Sequence, residues 1–347
     1  MPVGKWWGIF RHVSRGDKKY YASAIWEIIG TGITINLFDN LGILGFLAKP
    51  RTIREISSQL PEGIPMHYIT DLLELLSTRG YLRKSPDGKY QINIDAIDKL
   101  MRTLSRYPFT EFTPLIKASE KFFADYLKEL SVKEGIDLQD PKLALIFYDM
   151  LKKDFMKQQR ESLILWVGGK KRFIQKDILN IFSGFGHDAK SLIEHIGYNN
   201  IKKLVIGERD RNTIEFAKRV KVKINGEEEL LGNLDKVEFV ILGNEAEKIE
   251  EFDPNSFDIA ISFMQILTIS NIEQLATNVY NTLRQKGLFT GSSLFKTRDD
   301  LPSMFDIIGK RMGWKGFYGE KYFKKVLKKA GFKKADIHIS YFFRAEK

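Results

Sequence analysis

DILNIFSGFGHDAKSLIEHIG, residues 177–197, decides the reading of this chain. DILNIF has the length and apolar content of a buried strand, and DAKSLIEHIG reads as a helix. Between them stand Gly184 and Gly186, residues that let a backbone turn tightly and come close to a ligand. Strand–helix alternation continues beyond it. KKLVIG, KVEFVILG, FDIAISF and GLFTGSSLF read as strands, and NTIEFAKRV and NIEQLATNVYNTL as helices. The pattern predicts an α/β, parallel, doubly wound sheet. In such sheets ligands bind beyond the carboxyl ends of the strands, at the switch point beside the first strand.

The sequence before this domain has another grain. ITINLFDNLGILGFLAK repeats apolar residues at Ile33, Leu37, Leu41, Leu44 and Leu47, the helical spacing. Thr52 opens TIREISSQL with Glu55 three residues on, a capping-box pattern. Pro65 begins PMHYITDLLELLSTRG, with Ile69, Leu72, Leu73 and Leu76 on one face and Gly80 as stop. YLRKSPDGKYQIN then reads as a hairpin about Pro86, Asp87 and Gly88. Helices followed by a two-stranded wing raise DNA binding as a function. Yet the Pro65 helix carries Asp71 and Glu74 and offers few side chains suited to base edges or phosphates. From about Arg106 to Lys176 the chain reads as helical. The expected layout is residues 1–105, a linker at 106–175, and the α/β domain at 176–347.

Composition narrows the chemistry. The 347 residues include no cysteine, which removes disulfides, thiolate nucleophiles and Fe–S clusters. The five histidines show no paired ligand spacing, so no metal is expected. The greasiest stretch, residues 22–48, is interrupted by Glu27, Asn36, Asp39 and Asn40, which argues against a membrane span. A cytoplasmic protein is the expectation. The 55 Lys and Arg against 44 Asp and Glu give a net charge of +11, an invitation to nucleic acid. A Lys/Glu-rich solvated surface accounts for the same charge, as Lys324, Lys325, Lys328 and Lys329 illustrate on one predicted helix.

Four ordered pieces of the N-terminal region, LFDNLGILGFLA, TIREISSQL, ITDLLELLSTRGYL and DGKYQIN, resemble the winged-helix dimerisation domain of small-molecule O-methyltransferases of the plant and bacterial type. The C-terminal region resembles the class I S-adenosylmethionine-dependent methyltransferase domain that follows it. Together the resemblance runs from about Ile33 to the end. It implies a Rossmann-like sheet, S-adenosylmethionine as cofactor, a small-molecule substrate, and a homodimer joined through the N-terminal domain. Residues 22–35, with Trp26, are the expected subunit interface.

The resemblance also implies site residues. NIFSGFG aligns with D/E-x-G-x-G-x-G, which assigns Ser183, Gly184 and Gly186 to the cofactor, with Asn180 in place of the acid and Phe182 in place of the first glycine. Glu208 lies 24 residues past Gly184 (208 − 184), near the offset of the carboxylate that grips ribose hydroxyls, with Asp210 as the alternative. LGNEAEKI resembles "GDAExLP" and implies Asn244, Glu245 and Ala246 at the adenine. FDIAISF resembles "FDLVxS", with Asp258 structural and Phe263 at the cofactor. Phe147 and Met150 of the linker would touch the substrate. The family's catalytic histidine has no counterpart, because no histidine lies between His195 and His338; Gln265, or Leu267 by another count, takes its position. Glutamine cannot accept a proton at neutral pH, so the implied reaction is methyl transfer by proximity and orientation. Two other readings stay open: a relative that binds a ligand without catalysis, and a nucleic-acid-associated winged-helix protein.

Overall fold

A computed structural model describes residues 21–61, 64, 66–114, 116–117, 149, 151–296, 317–338 and 341–347, with side chains from Ile25. They fall into two compact units, one between positions 24 and 150, the other between 151 and 298 and between 315 and 347.

The first unit opens with helix α1 (Tyr21–Asn40). Its apolar residues are not confined to one stripe, and Ile25, Trp26, Ile29, Ile33, Ile35, Leu37 and Phe38 are all buried. A helix apolar all round belongs in an interior. Thr31 and Thr34 tolerate this because their hydroxyls donate to the carbonyls of Glu27 (2.8 Å) and Gly30 (3.0 Å), one turn back. Of residues 22–35, expected as a subunit interface, Ile25, Trp26, Ile29, Ile33 and Ile35 are buried within the single chain, and Glu27 and Ile28 are partly exposed. Trp26, for example, meets the ring of Phe112 edge-on at 5.4 Å.

Helices α2 (Ile43–Phe46), α3 (Ile53–Ser57) and α4 (Met66–Thr78) follow, then strands β1 (Leu82–Lys84) and β2 (Tyr90–Ile92) and helix α5 (Ile94–Leu104). The capping box is present: the Glu55 amide donates to Thr52 Oγ1 (3.2 Å) and the Thr52 amide donates to Glu55 Oε2 (2.8 Å). β1 and β2 pair antiparallel, and Glu74 of α4 accepts from Lys84 on β1 (2.5 Å) and from the Tyr90 hydroxyl on β2. Part of the helix that a DNA reading would assign to the groove is thus tied to its own hairpin. Pro65 lies outside the described residues.

The second unit begins with α6 (Asp154–Trp166). Within the stretch read as helical, Lys153 is extended (ψ 150°) and caps α6. Strands β3 (Asp177–Ile181), β4 (Lys203–Glu208), β7 (Val237–Ile241), β8 (Phe257–Phe263), β9 (Leu283–Ser292), β10 (Lys334–His338) and β11 (Phe342–Glu346) form one sheet. Its order is β10-β11-β9-β8-β3-β4-β7. The sheet is mixed where a parallel one was expected: β11 runs antiparallel to both β9 and β10. From β3 the chain winds one way to β4 and β7, then returns to build β8 and β9 on the other side. The switch point therefore falls between β3 and β8.

Residues alternate between the two faces of the sheet. Leu179, Ile181, Ala260 and Phe289 pack with α9 (Ile272–Thr282) and α10 (Glu320–Lys329) in one apolar cluster. On the other face, Ile261 and Phe263 meet α6 and α7 (His187–Ile196) at Leu163, Ile164 and Leu192. Helix α8 (Arg211–Lys218) leads to a separate hairpin, β5 (Lys221–Ile224) and β6 (Glu227–Leu230). It turns at Asn225 and Gly226, both with positive φ, the pairing a two-residue hairpin loop requires. At the amino ends of the strands, Arg284 Nη1 reaches Asp177 Oδ2 (2.7 Å) and Asp258 Oδ2 (2.9 Å), and Asp258 accepts from the Asp177 amide (3.0 Å). Asp258 thus clips β3, β8 and β9 together at the edge away from the switch point.

Candidate functional site

The site grows from the turn after β3. Phe182, Gly184, Phe185 and Gly186 all have positive φ, from 54° to 88°. For the two phenylalanines that conformation costs on the order of 1–2 kcal/mol each. Phe182 tolerates it because its ring joins the apolar cluster and is 1% exposed. Gly186 is required for packing: a Cβ there would stand 3.1 Å from the backbone of Ala217 on α8.

Ser183 links the turn to the next strand. Its hydroxyl donates to Glu208 Oε1 (2.5 Å) and accepts from the Gly186 amide (2.8 Å). Glu208 is the last residue of β4 and 2% exposed. Burial pushes its carboxyl up to about 7, against the opposing pull of the Ser183 hydroxyl and Arg209. Asp210, the alternative ribose ligand, caps α8, where its Oδ1 accepts from the Thr213 amide (2.8 Å).

Arg209 was not anticipated. Its guanidinium lies 3.9 Å from the centroid of Phe182, donates to the Asn244 carbonyl (2.6 Å), and donates to Thr268 Oγ1. The side chain therefore spans the carboxyl ends of the strands, over the Phe182 ring. The only sequence signal was its place beside Glu208 in GERDR.

The remaining assigned residues stand as follows. Glu245 accepts from the Ser270 amide (2.5 Å) and hydroxyl (2.9 Å), just before α9. Ala246 is buried with φ 57°. Phe263 ends β8, buried on the face shared with α6 and α7. Gln265 is half-buried just beyond it, whereas Leu267 is fully buried. His187 begins α7, and burial lowers it to about 3, so it is neutral. Phe147 and Met150 lie outside the described residues. Among the described residues no cluster of His, Asp and Glu is arranged to hold a metal ion, and no helix is long and apolar enough to cross a membrane.

A second unanticipated feature flanks the turn. Arg160 of α6 and Asp188 of α7 form a buried ion pair, Nε to Oδ1 at 2.7 Å. Burial raises Asp188 to about 6 despite the arginine beside it. In sequence, Arg160 stands in KQQRES, which reads as a solvated helix face.

No family model matches the sequence, and no curated protein matches it. Solved structures do. The chain is similar to the DszA carbon methyltransferase (TM-score 0.66, 15% identity, 94% of this chain and 90% of that one). It is similar to the CurJ carbon methyltransferase (TM-score 0.63, 14% identity, 98% and 96%). It is also similar to the CMeT domain of the citrinin polyketide synthase (TM-score 0.61, 15% identity, 94% and 90%). At these identities the likeness is one of fold, and the sheet order and switch point described above agree with it: this chain has the Rossmann-like fold of the S-adenosylmethionine-dependent methyltransferases.

Proposed function

We propose that this chain is an S-adenosylmethionine-dependent methyltransferase acting on a small molecule. The observation that carries the reading is Glu208. It ends the strand beside the switch strand and is hydrogen-bonded through Ser183 to the glycine turn. A carboxylate so placed suits the two hydroxyls of a ribose, and Gly184, at φ 58°, keeps the neighbouring backbone free of a Cβ. Phe182 and Arg209 narrow the crevice. Arg209 is a long side chain with one ring contact and two hydrogen bonds, so it can swing aside without disturbing the strands.

The cofactor, when bound, supplies a methyl group carried on a positively charged sulfur. The residues here hold and orient. Glu208 takes the ribose, Ser183, Gly184 and Phe263 border the methionyl end, and Gln265 faces the acceptor side. Gln265 cannot remove a proton, and a general base contributes ~10²–10⁴-fold. The acceptor is therefore a nucleophile that needs no strong base: a carboxylate, a neutral amine, a thiolate or an activated carbon. Similarity to carbon methyltransferases favours the last. Residues 176–347 would form the cofactor domain and 1–105 a winged-helix module that pairs two chains.

Calorimetry with S-adenosylhomocysteine, the demethylated product, tests the reading. Binding at micromolar affinity is expected. It would raise stability by ~2.7 kcal/mol at a hundredfold excess over Kd, visible as a higher melting temperature. Absence of binding by both the wild type and Arg209→Ala would overturn it, and would favour a fold kept without the cofactor.

A further inference from the structure

Arg160 is 4% exposed and Asp188 3% exposed. Arg160 Nε is spent on Asp188 Oδ1, and Nη1 donates to the Leu151 carbonyl (2.9 Å). Arg160 Nη2 has no hydrogen-bond partner. Replacing a buried ion pair by apolar residues of similar volume is often neutral or stabilising, and an orphaned buried donor adds a further penalty. Packing of α6 on α7 does not account for such a pair.

Its position does. The guanidinium lies 5.2 Å from the ring centroid of Phe263, at the carboxyl end of β8. A Cβ built on Gly184 would stand 3.7 Å from Asp188 Oδ1. The backbone amide of Phe263 and the side-chain amide of Asn180 also lower the Asp188 carboxyl, which places it over the gap between β3 and β8. The pair thus sits at the switch point, beside the glycine turn. A small cavity adjoins both residues.

We propose that Arg160, positioned by Asp188, anchors the α-carboxylate of the cofactor's methionyl end through Nη2. This rests on the methyltransferase reading above. The methionyl end presents a carboxylate, and the pair presents one free guanidinium donor toward it. Leu151, whose Cδ1 would lie 3.2 Å from a Cβ on Gly184, gives way when the ligand enters.

The test separates the amino-acid end from the nucleoside. S-Adenosylhomocysteine and 5′-methylthioadenosine share the adenosyl thioether, and only the first carries the zwitterion. Calorimetry on the full chain compares wild type, Arg160→Met, and the double variant Arg160→Met/Asp188→Asn, which leaves no unpaired buried carboxylate. Both variants should lose ~10–100-fold in affinity for S-adenosylhomocysteine, the scale of a charge-assisted hydrogen bond. Affinity for 5′-methylthioadenosine should stay within about twofold. Parallel losses for both ligands would show a merely structural role and overturn the proposal, as would an unchanged affinity for S-adenosylhomocysteine. Absence of binding of either ligand by both the wild type and Arg209→Ala would refute the methyltransferase reading and this inference with it.

Discussion

Replacing Glu208 by glutamine should make the protein more stable, and more so as pH rises. The carboxyl sits at about 7 in the folded chain against 4.5 in the unfolded one. A raised value means that the folded state holds its proton more tightly. Its stabilising contribution is therefore complete below 4.5 and is lost as pH rises through 7. The shift of 7 − 4.5 = 2.5 units corresponds to ~3 kcal/mol at 1.36 kcal/mol per unit. Two neighbours titrate in the same protein. Asp188 is raised to about 6, so its contribution also fades with rising pH, mostly below 6. His187 is lowered to about 3, so it acts oppositely and costs stability as pH falls below 6.5. The difference between wild type and Glu208→Gln removes the His187 contribution, which occurs in both proteins, and leaves only the part of the Asp188 contribution that is coupled to Glu208. Glutamine keeps the shape and can still accept from Ser183. Urea denaturation between pH 5 and 9 should show the variant gaining on the wild type by ~3 kcal/mol, most of the change falling below pH 7.5. A difference that stays flat across that range would mean that Glu208 is solvated or paired in solution, and the burial argument would fail.

Arg209→Ala should bind S-adenosylhomocysteine more tightly than wild type. It removes a cation–π contact worth ~0.5–2 kcal/mol and two hydrogen bonds that must break on entry. A gain of about tenfold, chiefly in association rate, is expected by stopped-flow; a loss of affinity would make Arg209 a ligand contact. Light scattering on the full chain at micromolar concentration should report two copies, and a monomer would sink the dimer reading.

Much of the fold is legible because its signals are local. The capping box at Thr52 and Glu55 needs only three residues of spacing, and the strand–turn–helix at 177–197 carries its glycines within one turn. Strand direction is not local. Nothing in FFRAE shows that β11 runs back between β9 and β10, because its partners are settled by register across the sheet. The β5–β6 hairpin was legible and missed: Asn225-Gly226 is a strong turn signal, obscured by the charged EEE that follows. The position of Glu208, at the end of β4 and against Ser183, could be read by offset from Gly184. Arg160 could not, since an arginine among Lys, Gln and Glu gives no hint of its burial. The engagement of Glu245 by Ser270 likewise depends on a loop closing over 25 residues.

The clip at the amino ends of the strands has a consequence for how this protein can change. Asp177, Asp258 and Arg284 fasten β3, β8 and β9 at one edge, while the crevice opens at the other. Substitutions at the crevice edge are thereby insulated from the fastening. Side chains such as Phe182 and Gln265 can change there while the strands stay in register. Such a division lets a lineage alter its chemistry at one rim of the sheet with little penalty to folding at the other. Drift is expected to concentrate around Phe182, Arg209 and Gln265, and the three clip residues to be the last to vary.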